Sequence, residues 1–108
     1  MRVIKLLQQG GSENIDIPNT LEALQKEVGG YIETLTLAPG VVMIVDEEGR
    51  LKDKPCNGKA SDICGMSIVG DALIVGHKGD EFCDIPQPIV TMLANLFGIR
   101  GGNYNELE

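Results

Sequence analysis

Three cysteines and the single histidine are the residues of this 108-residue chain with the most reactive chemistry: Cys56, Cys64, Cys83 and His77. Their types suit a four-ligand zinc site, but seven, twelve and five residues separate them in turn. Structural zinc sites pair their ligands two to four residues apart at a knuckle, so the spacing favours separate buried or loop thiols. A Cys/His nucleophilic pair would need contact in space and a third orienting group, and no local pattern supplies either. Asp46 with Glu48, and Asp80 with Asp84, read as the solvated acids of turns, because no second cluster with ligand spacing accompanies them. The expectation is therefore no catalytic residue, no metal ligand and no cofactor.

The basic and amide side chains are more informative. Arg50, Lys52, Lys54, Asn57 and Lys59 fall within ten residues of a chain with nine basic and sixteen acidic residues and a formal charge of -7. Cations clustered against a negative background focus an anionic small ligand, and the Asn57 amide offers both a donor and an acceptor for a base or sugar. The competing reading is that the lysines keep an edge strand soluble and unpaired. Arg100, in "GIRGGNYN" after the last helix, could add charge to a backbone nest for phosphate. The expected ligand set is Arg50, Lys52, Asn57, Lys59 and Arg100.

The same charge excludes other functions. A pI near 4.6 repels a phosphate backbone, so direct nucleic-acid binding is not expected. A DNA-mimicking inhibitor would want long carboxylate arrays, whereas the densest runs here are "DEE" at 46–48 and "GDEF" at 79–82. "MRVIKLL" is too short for a signal or membrane segment, so the expected setting is cytoplasmic and reduced, without a membrane partner.

The elements that must position these residues follow from periodicity. "RVIKLL" at 2–7 and "IDI" at 15–17 read as a hairpin around "QQGGSEN". Asn19, with Glu22 three residues on, is placed to cap a helix in which Leu21, Leu24 and Val28 share a face. Gly29 and Gly30 form a helix stop coupled to a strand start, since "YIETLTL" has strand composition and phosphate loops precede helices. "APG" at 38–40 is a turn, and "VVMIVD" is a continuous apolar run that suits a central strand covered on both faces. The acidic turn "EEGR" leads to a short extended piece from Leu51 to Pro55, and 55–67 reads as a long loop. "IVGDALIVG" at 68–76 supplies a strand and "HKGDEFCDIPQP" a polar connector. A helix begun at Pro86 or Pro88 then lays Ile89, Val90, Met92, Leu93, Leu96 and Phe97 on one broad face and stops at Gly98.

These pieces predict one α+β domain over 1–100: a mainly antiparallel sheet of five or six strands with two helices packed on one face. Residues 101–108 read as a flexible tail whose final Leu-Glu has the look of an expression-vector remnant.

"IPNTLEALQKEVGGYIE", "EEGRLKDKPCN" and "GDALIVG", in that order, resemble the family called domain of unknown function 3846, small proteins frequent in phages and bacterial mobile elements. The resemblance covers most of residues 1–78; "GKASDICGMS" after Asn57 and the terminal helix depart from it. It implies a setting and a fold and brings no catalytic residues. The expectation is a non-enzymatic module that binds a host component, either an anionic nucleotide-like ligand or a host protein, in a counter-defence role. A small enzyme acting on a nucleotide or nucleic-acid component and an acidic DNA mimic are the alternatives, and a homodimer is left open.

Overall fold

Two strands in which every side chain is apolar, or nearly so, organise the domain. All six residues of Val41–Asp46 are buried, as are the first five of Ala72–Lys78. Alternating side chains of such strands point to opposite sides, so both faces of the sheet must be covered. The computed structural model, which describes residues 1–99, builds that cover from three helices.

The strands in chain order are β1 (Arg2–Leu6), β2 (Ser12–Asp16), β3 (Ile32–Ala38), β4 (Val41–Asp46), β5 (Ala72–Lys78) and β6 (Glu81–Cys83), and the helices are α1 (Leu21–Val28), α2 (Gly58–Cys64) and α3 (Gln87–Phe97). All pairings are antiparallel, in the order β2-β1-β5-β4-β3, with β6 also pairing β5. β1 pairs with Ala72 to Ile74 of β5 and β6 pairs with Gly76 to Lys78. The backbone N–H of Ile85 donates to the carbonyl of Arg2 at 2.9 Å and ties the two short segments together.

One face buries Val3, Val42, Ile44, Leu73 and Val75 under Leu24 and Val28 of α1. The other buries Ile4, Leu6, Met43, Val45, Ala72 and Ile74 under Ala60 of α2 and Val90 and Leu93 of α3. The domain is an α+β sandwich with helices on both faces, three in number instead of two on one face. The extra helix is α2, in the stretch read as a long loop. It spans seven residues, too few for a sustained apolar repeat, and opens on glycine, a poor helix former.

Other boundaries shift for local reasons. Thr20, not Asn19, caps α1: its hydroxyl accepts from the N–H of Ala23 at 3.1 Å, while the Asn19 amide donates to the carbonyl of Phe82 at 2.9 Å. Both side chains have capping chemistry, and the position one residue later wins. Residues 47–53 are continuous turn, not an extended piece, with Asp53 at φ 54°. The polar connector holds β6, three residues whose pairing with β5 continues the chain through Gly79 at φ 62°.

Candidate functional site

The site begins at the corner after α1. Gly29 adopts φ 81°, the left-handed conformation that ends a helix, and its N–H donates to the carbonyl of Gln25 at 2.8 Å. The last carbonyls of the helix would otherwise face an acidic protein with no donor. Lys54 Nζ donates to the carbonyl of Val28 at 2.8 Å, and Lys52 Nζ to that of Gly29 at 3.0 Å. Both ammoniums also reach one carboxylate: Asp46 Oδ2 lies 2.7 Å from Lys54 Nζ and 2.9 Å from Lys52 Nζ.

Asp46, at the end of β4, has a side chain with no exposed surface. Burial drives its pKa upward, but the hydrogen bonds from Lys54, Lys52 and the Glu48 N–H outweigh it and hold the carboxyl at about 2. It is therefore a fixed anion. The two glycines leave space for this triad. A Cβ on Gly30 would stand 2.5 Å from Asp46 Oδ1 and 2.6 Å from Lys52 Nζ, and one on Gly29 2.9 Å from Lys54 Nζ. Gly70, at φ 76°, gives the same clearance to the Lys54 stem, whose Cδ would meet a Cβ at 2.8 Å.

An open cleft of about 460 Å³ runs past this corner, walled by Lys5, Lys26, Glu27, Lys52, Lys54 and Asp71 among others. On the far wall Lys5 is held by Glu27 at 2.9 Å and approached by Asp71 at 3.8 Å. At the α1 corner Lys52 and Lys54 share the buried Asp46 carboxylate, and Lys26 and Asp53 line the cleft beside them, so the cations of the cleft are matched by nearby acids. Lys26 is exposed, in the last turn of α1, and Lys52 keeps 40% of its side chain in solvent.

The residues read from sequence as a ligand set do not converge. Lys52, with its neighbour Lys54, lines the cleft. Arg50 turns to a separate hollow with Glu33, Leu35 and Met66, and its guanidinium donates to the carbonyl of Ser67 at 2.5 Å. Asn57 has no exposed surface: its Oδ1 caps α2 through the N–H of Ala60, and its Nδ2 donates to the carbonyls of Leu6 at 3.0 Å and Gly70 at 2.8 Å. A ligand in solvent cannot reach that amide. Its type was legible as a hydrogen-bonding residue, but a helix cap and a ligand contact want the same amide. Lys59 donates to the carbonyl of Phe97 at 3.0 Å and caps the end of α3. Arg100 lies outside the described residues.

Lys5 and Lys26 are the cleft cations that the cluster reading missed. Lys26 carried the signal of a basic residue in a helix's last turn, while Lys5 had none in its own neighbourhood. The cysteines and His77 fall on separate elements: Cys56 in an isolated bridge with Val69, Cys64 ending α2, Cys83 ending β6, and His77 in β5 with its ring 5.8 Å from that of Phe82. Among the described residues no three His, Cys, Asp or Glu side chains gather as metal ligands, and no helix is long and apolar enough to cross a membrane.

The fold and the cleft define a small α+β domain with a lysine-walled corner at the end of α1. The chain belongs to the family of domain of unknown function 3846 (DUF3846), whose sequence pattern matches residues 1–98. No curated protein matches it. Among solved structures, the crystal structure of small RNA methyltransferase HEN1 is similar, with TM-score 0.55 and 18% identity over 78% of this chain and 14% of that one. At that identity the likeness is one of fold, and this chain corresponds to a small part of the larger protein.

Proposed function

We propose that this chain is a non-enzymatic binding module that holds a small anionic, nucleotide-like ligand in the cleft at the α1 corner. The observation that carries the reading is a cleft of about 460 Å³ lined by Lys5, Lys26, Lys52 and Lys54, of which Lys52 and Lys54 converge on the Asp46 carboxylate at the end of α1. A helix C-terminus ordinarily repels anions. Here two ammoniums cover its last carbonyls and Lys26 adds a third cation in the same turn, in a chain whose net charge of -7 elsewhere excludes anions. The cleft volume falls within the range that takes small ligands, about 300–1,000 Å³, and its charged lining suits a hydrophilic one.

The non-enzymatic part of the reading rests on the state of the groups at hand. Asp46 is buried and held ionised at about 2, so it neither donates nor accepts a proton near neutral pH. The phage and mobile-element setting implied by the family resemblance makes a host nucleotide-like component the class of ligand to look for.

Lys26 tests the reading, because it is exposed and the Asp46 triad does not depend on it. Native mass spectrometry of the bacterially expressed chain, with adenosine monophosphate and inorganic phosphate titrated in, is expected to show a bound anion on the wild type. Lys26→Glu is expected to weaken that binding about tenfold, the effect of reversing one partly exposed charge. A wild-type mass that stays bare throughout the titration removes the reading.

A further inference from the structure

Strand β3 is an edge of the sheet, paired with β4 alone among the described residues. Monomeric proteins guard such edges with charge, lysine or proline, because the unpaired N–H and C=O groups template another strand. The opposite edge, β2, is guarded by Glu13 and Asp16 in five residues. β3 reads Ile-Glu-Thr-Leu-Thr-Leu-Ala and carries one charge, Glu33, in seven residues. Beside it Leu35 lines a hollow of about 150 Å³ with Val45 and Met66, rimmed by Glu33, Glu47 and Arg50, and Met66 is 53% exposed.

The chemistry of the strand says what fits it. Thr34-Leu35-Thr36 reads the same in both directions, and its register with β4 is regular from Ile32 to Thr36, with the irregularity confined to the stretch between Thr36 and Ala38. We propose that β3 is the interface of a homodimer in which two copies pair antiparallel about a twofold axis at Leu35. An isologous contact requires a self-complementary patch. In this register Leu35 faces the partner's Leu35 and extends the apolar row beside Met66, while Thr34 faces the partner's Thr36, a favourable cross-strand pair. Glu33 and the partner's Glu33 lie four positions apart along the strands, about 13 Å at the strand rise of ~3.3 Å, beyond the reach of a facing like-charge pair. Two copies at -7 each repel unless they meet along a nearly neutral stretch, and β3 is one.

The test uses charge at the two exposed threonines, which the folded core does not require. Sedimentation velocity is run on the full chain, on Thr34→Lys/Thr36→Lys and on Thr34→Lys/Thr36→Glu. The wild type is expected at twice the 11.6 kDa chain mass. The first variant sets lysine against lysine at both threonine pairs and is expected to dissociate at least tenfold more readily. The second sets lysine against glutamate and is expected to stay dimeric. A wild type that is monomeric at every concentration overturns the proposal, also if β3 then takes up an unrelated extended peptide. So does a dimer that survives both variants alike.

Discussion

Asp46 is a buried carboxylate kept charged by two lysines, and its thermodynamic sign is fixed by that. Burial alone would raise its pKa, yet Lys54, Lys52 and the N–H of Glu48 bring it down to about 2 from an ordinary 3.8. A group whose folded pKa is depressed contributes stability above its unfolded pKa and loses it as pH falls through the folded one. The contribution is therefore complete above about pH 4 and disappears towards pH 2. Allowing for the solvent that reaches Lys52, it amounts to about 1–2 kcal/mol. Asp84, held low chiefly by the Arg2 backbone N–H, adds the same sign from a half-exposed position. The two are separated by urea unfolding at about pH 5 and about pH 2. Asp46→Asn is expected to flatten most of the pH dependence in that window, and an unchanged slope would show that the acid sensitivity resides elsewhere.

At the scale of elements, the double glycine shows what was legible and what was not. Leu24 and Val28 bury one face of α1, Gly29 ends it, and Val41–Asp46 is covered on both sides, all as the spacing of apolar residues and the turn chemistry require. The second use of Gly30 was hidden, because it depends on Asp46 and Lys52 arriving from β4 and the following turn. Gly30→Ala is accordingly expected to cost about 2–3 kcal/mol, as the breaking of a partly buried charge cluster, whereas its backbone alone would add no penalty, since the left-handed stop is Gly29. In an Asp46→Ala background, which removes the atoms the new Cβ would meet and frees Lys52, most of that penalty should vanish, a non-additivity that a double-mutant cycle by thermal unfolding reads directly. α2 was missed although Asn57 and Gly65, a cap and a left-handed stop, bracket Ala60, Ile63 and Cys64 at helical spacing. Its arrival also dispersed the sequence cluster: past Asn57 the chain turns inward, so Lys59 serves α3 while Lys52 and Lys54 stay with α1. Proximity along the chain found two of the cleft's lysines, and the tertiary fold supplied Lys5 and Lys26.

At the scale of the molecule, the sheet separates two apolar layers that share no side chains. Leu24 closes one with Val42, Ile44 and Leu73; Leu93 closes the other with Met43, Val45 and Ile74. β4 and β5 belong to both, because successive residues of each strand point into opposite layers. Leu24→Ala and Leu93→Ala should each cost about 3 kcal/mol, the usual loss for a buried leucine. Layers stacked on opposite faces put these two sites about 20 Å apart, twice the ~10 Å spacing between packed layers, so the double variant should lose the sum to within about 0.5 kcal/mol. Additivity of energies does not mean independence of unfolding. Neither layer exists without the backbone of β4 and β5, so every variant is expected to melt in a single transition when followed by far-UV and near-UV circular dichroism together. Two transitions in Leu24→Ala would mean that α1 and its corner can open while the rest stays folded. The lysine-walled cleft would then form and dissolve with α1 alone, and the cleft, not the sheet, would set the stability of the state that binds.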